Sequence, residues 1–127
     1  MTVKIKNAQV NNLHIGPRII SDGLISYWNA TSPYSYPRTG SVWYDLVRNN
    51  DGSMVNMNST NFSEDGGGTL VFDGTDEYIS VPDDDSLDVG TDSLTVSAWI
   101  KPNVAAMITN STIVTKGGTG LYPSWRM

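Results

Sequence analysis

At 127 residues the chain is long enough to close one hydrophobic core and too short for two. Eight Lys+Arg against 13 Asp+Glu leave a net charge of -5, which removes the general attraction to phosphate backbones and with it nucleic acid as an expected partner. The absence of cysteine and a single histidine, His14, exclude a disulfide framework, a thiolate nucleophile and a zinc site built on Cys or paired His.

Only 17% of the residues are charged, and Gly, Asn, Ser and Thr fill the difference. That blend favours turn-rich β-structure over helix, while four tryptophans argue against disorder. Residues 1–20 read as an extended arm that alternates weakly around Val3 and Ile5 and ends at the breaker pair Gly16-Pro17. The arm carries no apolar h-region, and no later stretch approaches the length needed to cross a bilayer, so no membrane insertion is expected.

From Asp22 onward short apolar runs alternate with Gly, Asn, Asp and Pro clusters, and none holds the helical i, i+3, i+4, i+7 pattern. The predicted strands are Leu24 to Asn29, Thr69 to Phe72, Tyr78 to Val81, Leu94 to Lys101 and Ser111 to Lys116. Thr69 to Phe72 and Glu77 to Val81 flank Asp73-Gly74, which predicts a hairpin. Pro82 and Asp83-Asp84-Asp85 then stop the second strand. In Leu94 to Lys101 one face carries Leu94, Val96, Ala98 and Ile100, and the other Thr95, Ser97, Trp99 and Lys101, the two-residue period of a strand with one buried side. Trp99, on the polar face, needs cover or a reason for exposure. Strands at this spacing predict an all-β domain, an antiparallel β-sandwich over residues 21–127.

Phe72-Asp73-Gly74, then Tyr78 to Pro82, Ser86-Leu87 and Leu94 to Pro102, resemble the core signature of laminin-G-like, concanavalin A-like jelly rolls. The stretch upstream, Gly16 to Ile20, Asp22-Gly23-Leu24, Ser35-Tyr36-Pro37 and Thr39-Gly40 leading to Trp43-Tyr44-Asp45-Leu46, is similar to a lead-in of such modules in structural proteins of tailed bacteriophages, marine ones especially. The resemblance spans about residues 16–102. It implies a jelly roll that binds carbohydrate or protein, located on a virion or secreted to the extracellular space. Relatives of this fold need roughly 150 to 200 residues to close both sheets, so the sandwich is expected to be incomplete at its C-terminal side. Trp125-Arg126-Met127 reads as the start of a further strand. Two expectations follow: either the chain is truncated and the strands are missing, or sister subunits or other virion proteins supply them in a homo-oligomer or larger assembly.

Catalysis is not expected. Glucanases of the concanavalin A-like fold need two glutamates on one strand reaching the same sugar, whereas Glu64 and Glu77 are separated by the Gly66-Gly67-Gly68 break. A Ser-His-Asp triad would have to recruit His14 from the arm. Calcium is the expected cofactor if there is one. Asp45, Asn49, Asn50, Asp51, Asp73 and Asp76 put oxygen donors into two turns, and Asp73, Asp76 and Asp45 are the candidate ligands. Ordinary turn chemistry of Asp and Asn accounts for the same residues.

Aromatic residues supply the binding candidates. Tyr27, Trp28, Tyr34, Tyr36, Trp43 and Tyr44 crowd into eighteen residues, and such rings either stack on sugar faces or fill a core. Tyr34, Tyr36, Trp43 and Tyr44 are the candidate ligand-binding set, with Tyr34 and Tyr36, between Pro33 and Pro37, expected to face solvent. Tyr122 and Trp125 form a second pair. Asn-x-Ser/Thr triplets begin at Asn29, Asn58, Asn61 and Asn110, and the composition produces such triplets by accident. Two functions remain: a non-catalytic module that adheres to a glycan or host-surface polysaccharide, and a purely structural assembly protein such as a capsid decoration or tail-fibre component.

Overall fold

A computed structural model describes residues 21–102, 112–117 and the backbone of 125–126. The arm over 1–20 with His14, and also Asn110 and Tyr122, lie outside the described residues. The described chain is all-β: short strands and three single 3-10 turns, with every strand pair antiparallel. Strand β1 (Val42–Trp43) pairs with β2 (Gly52–Val55), and β2 pairs on its other side with β5 (Tyr78–Ser80). Strands β3 (Phe62–Ser63) and β4 (Thr69–Leu70) form a second sheet, and β6 (Thr115–Lys116) with β7 (Trp125–Arg126) a third.

The sequence dictates β2 through its alternation. Gly52 and Met54 are buried while Ser53 is exposed, the two-residue period of a strand covered on one face. Register sets Met54 opposite Ile79 and Gly52 opposite Trp43. A Cβ at Gly52 would lie 2.5 Å from Ile79 Cγ2, so glycine at this position is what lets the β5 side chain lie flat across β2. The buried cluster is Tyr36, Met54 and Met57, with Trp43, Phe62, Leu70 and Ile79 packed against it. Tyr36 meets Phe62 at 5.7 Å between ring centroids, tilted by 46°. Arg38 lies over the Phe62 ring, 5.3 Å from its centroid, and pairs with Glu64 at 2.8 Å. A cation over a ring contributes about 0.5–1 kcal/mol at an exposed site.

Much of the remaining order comes from side chains bonding to backbone. The predicted strand Leu24 to Asn29 belongs to no sheet, because four polar contacts hold it instead of a ladder. Asn50 Nδ2 donates to Ser26 Oγ (2.8 Å), and Asp45 Oδ1 accepts from Tyr27 N (2.8 Å). Trp28 Nε1 donates to the Asn50 carbonyl (3.1 Å), and Asn29 N to Ser35 Oγ (3.0 Å). Asp45 is the busiest of these acceptors, also taking the Val47 and Arg48 amides, while its own amide donates to Asp51.

The predicted hairpin across Asp73-Gly74 does not form. Strand β4 turns back to β3, and β5 crosses to β2. Asn61 is the reason: its carbonyl accepts from Val71 N (2.7 Å) and its Nδ2 donates to the Val71 carbonyl (2.9 Å), so it occupies the backbone that a hairpin would need. Glu77 then closes residues 73–77 into a loop by accepting from Asp73 N and from Asn61 Nδ2. The 3-10 turn Asp65–Gly67 leads into Gly68 at φ +142°, where a Cβ would lie 2.8 Å from the Ala30 carbonyl. That approach seats the turn on residues 30–31.

Leu94 to Lys101 lies in no sheet, and the burial expected for its apolar face is not realised. Beyond it, Thr115–Lys116 realises the end of the predicted strand 111–116, and its pairing with Trp125–Arg126 realises the strand start predicted there.

Two stability measurements check this account. Gly52→Ala is expected to lower unfolding free energy by about 1–3 kcal/mol in urea titrations, the ordinary penalty of overpacking, with Ile79→Ala in the same chain restoring part of the loss. Asp45→Ala, which strands three amides, is expected to lose about 2–4 kcal/mol, and Asp45→Asn less, since one oxygen remains.

Candidate ligand-binding surface

Residues 32–36 form a turn in which Ser35 N and Tyr36 N both donate to the Ser32 carbonyl, at 3.0 and 2.8 Å. Pro33 fits the second position of such a turn, where its fixed φ costs nothing. The geometry sends neighbouring side chains in opposite directions. Tyr34 at the crest is 85% exposed, whereas Ser35 and Tyr36 are both 0% exposed. Tyr36 therefore corrects the expectation that it faces solvent beside Tyr34: the turn aims its ring at Met54, Met57 and Phe62, and its hydroxyl donates to the Gly40 carbonyl at 3.3 Å. Burial pushes the Tyr36 phenol above its ordinary pKa, so it stays neutral across physiological pH.

Ser35 is the residue that sequence reasoning missed. Its hydroxyl accepts from Asn29 N and donates to the Tyr44 carbonyl at 2.6 Å, while its own carbonyl accepts from Tyr44 N at 2.7 Å. One buried serine thus clamps the turn bearing Tyr34 to the segment bearing Tyr44. Tyr44 is 43% exposed, and Leu46 and Val47 after it are exposed as well. Trp43, the fourth candidate, is half-buried against the core, and its indole N–H is buried with no acceptor. Of the aromatic set, the structure leaves Tyr34 and Tyr44 exposed, on two segments that Ser35 joins, and packs Tyr36 and Trp43 into or against the core. No pattern in the sequence distinguishes Ser35 from the chain's other serines.

The acidic candidates serve turns. Asp45 is buried and accepts three amides. Asp73 Oδ1 accepts from Thr75 N at 2.7 Å, and Asp76 Oδ2 accepts from Asn56 Nδ2 at 2.9 Å. Calcium takes six to eight oxygens, and among the described residues no three acidic or His side chains converge on one point. Glu64 is engaged by Arg38, and Glu77 by Asn61 and Asp73. The glycosylation-like triplets have the same explanation. Asn29 and Asn58 accept the amides of Thr31 and Thr60 two residues on, and Asn61 spends its amide group on Val71 and Glu77.

A charged cluster ties β6 to the turn Asp85–Leu87. Lys116 Nζ reaches Asp83 at 2.6 Å and Asp88 at 2.8 Å, and Asp84 caps the turn by accepting from Ser86 N at 2.8 Å. The contacts with Asp83 and Asp88 hold the Lys116 pKa above its ordinary value, and the hydrogen bonds from Ser86 hold the Asp84 carboxyl below its own.

No family model, characterised protein or solved structure matches the chain. No helix among the described residues is long and apolar enough to cross a membrane.

The two shifts act at opposite ends of the pH scale. A lowered Asp84 contributes stability above its unfolded-state pKa and loses it as pH falls through the lower folded value. A raised Lys116 contributes below its unfolded-state pKa and loses that contribution as pH rises through the higher folded value. In an NMR titration that follows the Asp84 carboxyl carbon, the midpoint is expected on the acid side of the ordinary aspartate value. Lys116→Met is expected to change the resonances of residues 83–88 at neutral pH and leave that acid transition in place.

Proposed function

We propose that this chain is a non-catalytic recognition module, an antiparallel sandwich of the jelly-roll kind, that adheres to a glycan surface through the exposed Tyr34 and Tyr44. One observation carries the reading: Tyr34 is 85% exposed while the two residues that follow it are wholly buried. A ring held in water on a rigid support binds without first losing loop entropy, and tyrosine joins an apolar face to a hydroxyl that donates and accepts. Sugars present the matching pair, a C–H face and hydroxyl edges. Leu46 and Val47, after Tyr44, are exposed as well.

The net charge of -5 favours neutral polysaccharide over acidic glycans or nucleic acid, since like charge slows encounter and weakens it. The laminin-G-like resemblance supports the same class of task, and through its phage-like lead-in it supports a place on a virion. No step of this reading runs through calcium. A second reading, a structural subunit whose surfaces meet other subunits, is favoured by a different observation, the exposed apolar row at Leu94 to Ile100.

Glycan-array binding followed by calorimetry tests the first reading. Tyr34→Ala is expected to weaken binding at least tenfold with an unchanged melting temperature, because an 85% exposed ring does little for the core. Tyr44→Ala is expected to weaken it less. An array that stays silent for the unaltered chain rejects the reading.

A further inference from the structure

The stretch from Leu94 to Ile100 has no strand partner among the described residues. Trp99 is 102% exposed, Ile100 54% and Leu94 42%, and Val96 is half-buried. Nowhere else in the described chain does a tryptophan stand wholly in water. A strand-type alternation with open backbone donors and acceptors is a template for pairing with another strand.

We infer that this segment pairs with its own copy in a second molecule, antiparallel about a two-fold axis through Ser97. Facing residues of an antiparallel pair share one side of the sheet, so an axis that falls between two residues would set the apolar row against the polar one. An axis on a residue keeps the rows together, and only a few positions are available. Through Ser97 it sets Leu94 opposite Ile100, Val96 opposite Ala98, Thr95 opposite Trp99, and Ser97 opposite its twin. Through Val96 it would set Ile100 against Asp92. Through Ala98 it would set Leu94 against Pro102, which has no amide for the ladder.

Charge allows the Ser97 register even though each copy carries -5. Lys101 is the single charged residue from Ser93 to Lys101, and it faces Ser93, so no like charges meet. Seven residues make a seam of about 23 Å, along which Leu94, Val96 and Ile100 of the two copies join into one apolar row on one face while Trp99 packs against Thr95 on the other. The contact is isologous, so it closes at two copies. It does not depend on the exposed tyrosines and stands or falls separately from glycan binding.

The absence of cysteine makes the test clean. In Ser97→Cys the only two thiols of the dimer face each other across the axis, at the Cα separation of about 4.5–5.5 Å of facing strand residues, within disulfide range. Mild oxidation of the full chain is expected to convert most of this variant to a covalent dimer, whereas Ser93→Cys, which faces Lys101, stays reduced. In sedimentation the unaltered chain is expected to dimerise with concentration, and Trp99→Lys to raise the dissociation constant at least tenfold with an unchanged circular dichroism spectrum. A monomer at every concentration overturns the inference, as does a dimer in which Cys introduced at position 97 stays reduced. Equal cross-linking at positions 93 and 97 overturns the register and the proposal with it.

Discussion

The constraint on which the rest depends is that polar side chains, rather than long strand ladders, satisfy much of the backbone of residues 26–77. Every strand is two to four residues long, and a buried amide without a partner costs about 1–3 kcal/mol. Asp45, Asn50, Asn61 and Ser35 supply those partners, each bridging two or more points distant in sequence. Asn50 shows the economy of the arrangement. Its amide joins Ser26 to Ser86 while its backbone carbonyl takes the Trp28 indole, so one residue ties two distant segments to its own. An apolar cluster as small as Tyr36, Met54 and Met57 is held in register by this network.

The same constraint explains what the sequence made legible and what it did not. Tyr78–Ser80 and Thr115–Lys116 fall inside predicted strands, because alternation and a following breaker are local signals. The strand character of Gly52–Val55 was hidden by Asn, Asp and Gly on either side, although it is the central strand of its sheet. The Asp73-Gly74 hairpin reads well locally and fails because Asn61, ten residues upstream of Val71, reaches Val71 first. Side-chain capture of backbone across such a distance has no periodicity and therefore no signature. The aromatic cluster divided for a similar reason. Tyr34 and Tyr36 share flanking prolines and composition, and only the direction of the turn at Ser32 decides which ring is core.

Adjacent residues take different places in the fold. Tyr36 and Trp43 give their area to the core, and Ser35 locks the two backbones together, while Tyr34 stands in water and is the ring that the proposed adhesion would use. A ring freed in this way can change with the ligand without loss of fold. The acidic turns make the opposite use of their side chains. Asp45 is spent on three amides, so its carboxylate closes a loop.

The exposed row at Leu94 to Ile100 sets a limit on how the domain is stable. Burial of apolar area is the main favourable term in folding, and this stretch, whose alternation is the cleanest in the sequence, places no residue in the buried core of the described residues. The polar network holds residues 26–77 but does not extend to Trp99, which has neither a ring contact nor an indole partner among the described residues. Under the proposed pairing of this row with a second copy, stability and association are coupled. Covering the row adds apolar burial to the folded state alone, and mass action then makes the melting temperature rise with protein concentration.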